Sequence, residues 1–353
     1  MSLDRIRLAS LHDKVISAEE ASAFIEDGMT VGMSGFTRAG EAKAVPLALV
    51  KRAHTNPLKI TLITGASLGN DLDKQLTEAG VLARRLPFQV DNTLRKAINN
   101  GEVMFIDQHL SETVEQMRNL QLKKPDVAII EAVAITEDGG IIPTTSVGNS
   151  ASFAIFAEKV IVEINTNLSP AFEGLHDIYI PTYRPTRQPI PLTQVDERIG
   201  THAINIDPAK IVGIVINNDL HDSPSTVTAP DDETQGIADH LIAFFEKEVA
   251  EERLPKNLGP LQAGIGSIAN AVLTGLKDSN FEDLVMYSEV LQDCTFELID
   301  AGKMKFASGS SITLSAKYGE KVFNNLEAYK DKLVLRPQEI SNHPELVRRL
   351  GII

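Results

Sequence analysis

The sequence predicts an α/β protein made of two open, largely parallel α/β domains, and three observations carry that expectation. Short β-branched runs alternate with helical patterns along most of the chain, as parallel sheets with crossover connections require. At 353 residues the chain exceeds the size at which one core usually divides. A polar, turn-rich stretch from Asn217 to Glu233, NNDLHDSPSTVTAPDDE, contains two prolines and no periodicity, and marks the break.

The expected strands of the first domain, residues 1–218, begin with Met29–Met33 (MTVGM), Ile60–Thr64 (ITLIT), Val103–Ile106 (VMFI) and Val127–Ile130 (VAII). Between the first two, Pro46–Ala53 (PLALVKRA) reads as a helix with Pro where a first turn tolerates it. Val160–Ile164 (VIVEI), Asp177–Ile180 (DIYI) and Ile211–Ile216 (IVGIVI) read as further strands. Beyond the break, Thr234–Glu252 reads as a helix whose Ile237, Leu241, Ile242 and Phe245 recur at helical spacing and are expected in the core. A glycine turn, a second helix, a strand carrying Glu289 and two more αβ passages fill the second domain, residues 219–353. That domain is shorter than the first and closes on RRLGII without a polar tail, so it is expected to be truncated at its C-terminus.

A formal net charge of −14 and a pI near 5.1 disfavour nucleic acid as a partner, because non-specific binding neutralises phosphates with Lys and Arg. No apolar run reaches bilayer length, and Met1–Lys14 lacks the continuous apolar segment of a secretory signal, so a soluble, cytoplasmic protein with no membrane partner is expected. Cys294, the single cysteine, excludes an internal disulfide and a CxxC pair and reads as a small buried hydrophobe. No HxxxH or HExxH pattern points to a metal. The pairs His12-Asp13, His176-Asp177 and His221-Asp222 are adjacent residues, which on a strand face opposite ways and make no dyad by themselves. Ser34 follows a strand but lacks the G-x-S-x-G elbow.

The chemistry-bearing feature is LVMYSEVLQDC, Leu284–Cys294, where Glu289 interrupts an apolar run. A carboxylate removed from water needs donors, a ligand or an exposed strand end. Upstream, LQAGIGSIANAVLTGL places Gly264-Ile265-Gly266 at a helix start, where backbone N–H groups can approach an anion. One reading is a dinucleotide fold, since Gly264, Gly266 and Ala269 fit G-x-G-x-x-A, but the preceding LPKNLGPLQ is not a continuous apolar strand. The other makes Glu289 a covalent nucleophile toward a thioester, with the turn as oxyanion donor and Val285, Met286, Val290 and Leu291 excluding water. Spacing alone does not choose this chemistry; on spacing alone, a satisfied polar residue at a strand end is the plainer reading.

Seven segments resemble the acetyl-CoA hydrolase/transferase family, the class I CoA-transferases: SGFTRAGEAKAVP (Ser34–Pro46), LITGAS (Leu62–Ser67), DVAIIEA (Asp126–Ala132), GIGSIANAV (Gly264–Val272), YSEVLQD (Tyr287–Asp293), SGSSITLS (Ser308–Ser315) and LRPQEISNHP (Leu335–Pro344). The resemblance implies two CoA-transferase-type α/β domains and a glutamyl-CoA thioester on Glu289, with CoA as substrate and covalent intermediate and no tightly bound cofactor. It implies that Leu261, Gln262, Ala263, Gly264, Ile265 and Gly266 contact CoA, that the Ile265 N–H is an oxyanion donor, and that Asn342 lies near the CoA. Acyl-CoA and small carboxylates are the implied partners, and a homo-oligomer is the implied assembly. Acetyl-CoA hydrolysis is the alternative, with water replacing the acceptor acid. Family members continue past RLGII into a glycine-rich segment supplying a second oxyanion donor, so a non-catalytic CoA-binding or regulatory protein is the alternative of another class. Lys303 and Lys305 are candidate contacts for CoA phosphates.

Overall fold

The computed structural model describes residues 3–226 and 231–353, so residues 227–230 of the polar stretch lie outside the described residues, as do the first two of Met1–Lys14. Eight strands form the first sheet: β1 (Thr30–Met33), β2 (Ile60–Ile63), β3 (Leu82–Leu86), β4 (Met104–Phe105), β5 (Val127–Ile135), β6 (Ile141–Pro143), β7 (Lys159–Asn165) and β8 (Ile211–Asn217). Their order is β4-β3-β2-β1-β5-β7-β8, all parallel, with β6 antiparallel to β5. Helices flank this sheet, so the central β5 is buried at every position and reads as an unbroken apolar run apart from Glu131.

The second half supplies β9 (Pro260–Leu261), β10 (Leu284–Tyr287), β11 (Val290–Leu291), β12 (Met304–Gly309), β13 (Ser311–Ile312) and β14 (Leu333–Leu335). Four of them form a parallel sheet in the order β14-β12-β10-β9, while β11 and β13 form a separate parallel pair. Ile353 lies beside β9, its N–H donating to the Pro260 carbonyl (3.0 Å) and its carbonyl accepting from Gln262 (2.8 Å). Packing around this sheet also draws on the first half of the chain: Ile190, Leu192 and Val195 join Tyr287, Phe306, Val334, Ile340 and Leu346 in one apolar cluster. The α/β class and largely parallel sheets are those expected.

Two strands escape the sequence pattern. LARRL at β3 looks too polar for a buried strand, yet Arg85 is fully buried because its Nε donates to Asp73 Oδ1 at 2.8 Å. Conversely, Asp177–Ile180 forms no strand and makes only isolated bridges. The Asp177 carboxylate instead accepts from the N–H groups of Ile199 (3.0 Å) and Gly200 (2.6 Å) and pairs with buried Arg336.

The helix beyond the break spans Asp232–Ala250, but its expected stripe is only partly covered. Ile242 and Phe245 pack against the core, whereas Ile237 is 46% exposed and Phe244 51% exposed. The main neighbour of this helix is the helix Ser267–Asp278, with Phe245 also meeting Phe281 edge-on, so only part of its surface is hidden. Gly275 sets their approach, since a Cβ there would lie 3.3 Å from Ile242 Cγ1.

Candidate active site

The sequence places Glu289 on a strand; the structure places it instead in the gap where the chain leaves β10 for β11. Both sheets hold its main chain. Ser288 N–H donates to the Ser308 carbonyl (2.8 Å), and the Glu289 carbonyl accepts from the N–H groups of Ser310 (2.8 Å) and Ser311 (3.2 Å). The side chain is half-buried between neighbours that are wholly buried, Tyr287 and Ser288 before it, Val290 and Leu291 after it. This position at the carboxyl end of a parallel strand is where open α/β sheets form crevices.

Among the described residues one donor meets the carboxylate: Asn342 Nδ2 donates to Glu289 Oε1 at 2.5 Å. Asn342 caps the C-terminal end of the short helix Gln338–Ser341, and its own carbonyl oxygen is buried with no hydrogen-bond partner among the described residues. Burial pushes the Glu289 carboxyl above its ordinary range, while the Asn342 amide and the charge of His109 pull it back. First-half loops close the opposite wall, where Phe36, Ala66 and Leu110 pack on Val290. Buried Gln338 ties those loops to the Asn342 helix, its Nε2 donating to the carbonyls of Gly65 (3.0 Å) and Leu110 (2.8 Å). Sequence reasoning passed over Gln338 and His109; both become visible only when the loops after β2 and β4 meet the helix.

The glycine turn flanks Glu289 from both sides. Ser288 Oγ donates to the Ala263 carbonyl (3.0 Å), and Gln292 Nε2 donates to the Gly264 carbonyl (3.0 Å). Gly266, with φ of +134°, opens the helix Ser267–Asp278, a backbone angle that favours glycine. Gly264, Ile265 and Gly266 are exposed, and no acceptor among the described residues engages the Ile265 N–H. The turn does not hydrogen-bond to the Glu289 carboxylate, among the described residues; the donor expected from the turn comes from Asn342 instead. Leu261 is buried in the core on β9, so its side chain supports the turn rather than lining it, while Gln262 is exposed.

Other candidates are occupied elsewhere. Cys294 is buried beside Asn270, and burial pushes its thiol up to about 12. Burial also drives His176 down to about 4, with Nε2 bonded to the Thr144 carbonyl (2.9 Å). Lys303 donates to the Ser279 carbonyl (3.0 Å), and Lys305 pairs with Asp283 (3.0 Å). Among the described residues no cluster of three or more His, Cys, Asp and Glu could hold a metal ion, and no helix is long and apolar enough to cross a membrane.

A second charged group was missed by sequence reasoning although its segments were in view. Lys43 Nζ lies 2.6 Å from Glu131 Oε1 and 2.7 Å from Asp222 Oδ1, all three drawn from different segments. Glu131 also accepts from Asn165 Nδ2 (2.9 Å) and Thr144 Oγ1 (2.6 Å), and Asp222 from Thr145 Oγ1 (2.5 Å) and Gly40 N–H (3.1 Å). Glu163 caps the helix Ala44–Ala53, accepting from the N–H groups of Lys43 (2.9 Å), Ala44 (3.0 Å) and Val45 (3.1 Å). Burial, then the neighbouring Asp222, raises Glu41 to about 7; burial raises Glu131 to about 8 against the pull of Lys43.

Comparison with known proteins agrees with this architecture. Residues 2–216 match the model of the acetyl-CoA hydrolase/transferase N-terminal domain. The chain is 45% identical over 99% of its length to a succinyl-CoA:acetate CoA-transferase of Clostridium kluyveri, covering 65% of that protein. It is 44% identical, also over 99% of its length, to an acetyl-CoA hydrolase of Schizosaccharomyces pombe, covering 69% of it. The chain thus spans about two thirds of the length of these relatives. Among solved structures, RipA from Yersinia pestis shares the fold with a TM-score of 0.71 at 17% identity, covering 96% of this chain and 72% of that one. A 4-hydroxybutyrate CoA-transferase from Porphyromonas gingivalis does so at 0.62 and 17%, covering 96% and 71%. With a family model matching well over half of the chain and similar relatives matching nearly all of it, the protein belongs to the acetyl-CoA hydrolase/transferase family.

Proposed function

We propose that the protein transfers CoA between an acyl-CoA and a small carboxylic acid through a glutamyl-CoA thioester on Glu289. The observation that carries this reading is a half-buried carboxylate with a single amide donor, flanked by a glycine turn tethered to Ser288 and Gln292. Such a group is raised in energy but kept ionisable, the condition of a nucleophile rather than of a structural ion.

In this reading the Glu289 carboxylate attacks the thioester carbonyl, the C–S bond breaks, and CoA leaves as its thiolate, giving an acyl-glutamyl anhydride. The thiolate then attacks the glutamyl carbonyl and expels the first carboxylate, leaving the enzyme–CoA thioester. A second carboxylate reverses both steps and departs as its CoA ester. The Ile265 N–H is the turn's candidate donor to the developing oxyanion, and the apolar wall keeps water from the anhydride. Residues 219–353 carry the nucleophile and 1–218 close the pocket over it, while CoA is substrate and transient covalent group rather than resident cofactor. Water attacking in place of the second acid gives acetyl-CoA hydrolysis, a second reading favoured by the similarity to the S. pombe hydrolase.

The test is incubation with acetyl-CoA or succinyl-CoA followed by peptide mass spectrometry. A CoA adduct on the peptide containing Glu289, absent in Glu289→Gln, is the expected result. An adduct that persists in that variant rules out Glu289 as the nucleophile. Release of product with and without an acceptor acid separates transferase from hydrolase.

A further inference from the structure

A first-half apolar patch packs beside Glu289, and one ionisable side chain adjoins it. Phe36, Ala66 and Leu110 present carbon next to Val290, which suits a short acyl chain. His109 immediately precedes Leu110 and is exposed, so an incoming molecule can reach it. Its loop is fixed in place by the packing of Leu110 and by the Gln338 amide on the Leu110 carbonyl. The Ser111 N–H donates to His109 Nδ1 at 3.4 Å, and the Ser111 hydroxyl lies 2.9 Å from the same nitrogen. Nδ1 is therefore engaged locally with Ser111, and Nε2 is left to face an incoming group. Among the described residues His109 is the one ionisable side chain whose charge bears on the Glu289 carboxyl, and no hydrogen bond joins the two.

A substrate with one carboxylate has nothing to offer such a group once that carboxylate is spent on Glu289. A short dicarboxylic acid retains a second charge, and in a protein of net charge −14 that charge needs a local donor. We propose that His109 determines substrate preference by holding the second, unreacting carboxylate of a short dicarboxylic acid or of its CoA ester. The inference rests on the reading of Glu289 as the nucleophile.

The experiment compares kcat/KM for succinate and acetate as acceptors in wild type, His109→Ala and His109→Lys, after wild type has been assayed for the Glu289 adduct with acetyl-CoA. The succinate-to-acetate ratio is expected to fall about tenfold or more in His109→Ala, the scale of a lost charge-assisted hydrogen bond, and to recover in His109→Lys. A ratio that does not move, or equal losses on both acids, overturns the inference while leaving the adduct intact. Absence of the adduct in wild type overturns instead the Glu289 reading beneath it.

Discussion

Glu131 and Glu289 both interrupt apolar runs, DVAIIEA and LVMYSEVL, and the fold answers the two charges in opposite ways. Glu131 lies within β5, where Lys43, Asn165 and Thr144 all meet its carboxylate. Glu289 lies past the end of β10, half-buried, with Asn342 as its one hydrogen-bond partner among the described residues. A charge buried for architecture must have its lone pairs filled, because each unmet one costs stability. A charge kept for chemistry must leave a lone pair free for its substrate. The number of partners separates the two glutamates where sequence does not.

The largest expected effect comes from removing the under-satisfied carboxylate. Glu289→Gln should lower CoA transfer by about 10⁴-fold or more, as loss of a covalent nucleophile does, with a thermal midpoint equal to or above wild type because a desolvated charge is gone. Lys43→Met should do the reverse. It leaves Glu131 and Asp222 buried without their cation and should cost about 3–5 kcal/mol in urea unfolding, well before any specific effect on the thioester step. If the two variants gave similar profiles, the distinction drawn between the regions would fail.

Smaller effects sharpen the contrast. Asn342→Ala removes the only donor to Glu289 among the described residues and should reduce kcat/KM about 10- to 100-fold. Because that donor favours the charged form, the acid limb of the pH–rate profile should also move to higher pH. Wild-type activity should already fall on acidification at a pH above the ordinary glutamate value, since the nucleophile is needed ionised and burial has raised it. Stability should follow the opposite slope. Glu41, raised to about 7 by burial and by Asp222, holds a proton that the unfolded chain has released above its ordinary 4.5. The folded state therefore binds more protons across that window, and the urea midpoint should decline from pH 5 to pH 8. Lys43 is raised from 10.5, so its contribution is present throughout this window and is lost only at higher pH.

Much of this was readable in one dimension where the chemistry is local. Val127–Ile130 and Ile211–Ile216 read correctly as strands because a strand covered on both faces shows an unbroken apolar run. LARRL at β3 did not, because the cation that spoils its pattern is neutralised by Asp73, twelve residues away. DIYI misled in the other direction, since its Asp177 is committed to Arg336 and to a neighbouring loop. Gly264, Gly266, Glu289 and Asn342 could be singled out from motifs, but their mutual arrangement could not. The turn was expected to face the carboxylate with donors, and it is tethered to Ser288 and Gln292 on either side of it.

By itself, then, the sequence determined the alternation of strands and helices, the net acidic charge and the presence of a glutamate inside an apolar run, because periodicity, charge and composition belong to neighbouring residues. Tertiary structure decided which glutamate is met by several partners and which, among the described residues, by one. Lys43 reaches Glu131 across 88 positions, Asn342 reaches Glu289 across 53, and Gln338 reaches Gly65 across 273. Contacts so distant along the chain leave no local pattern; the first two form as each half of the chain folds, and the third only once the two halves meet.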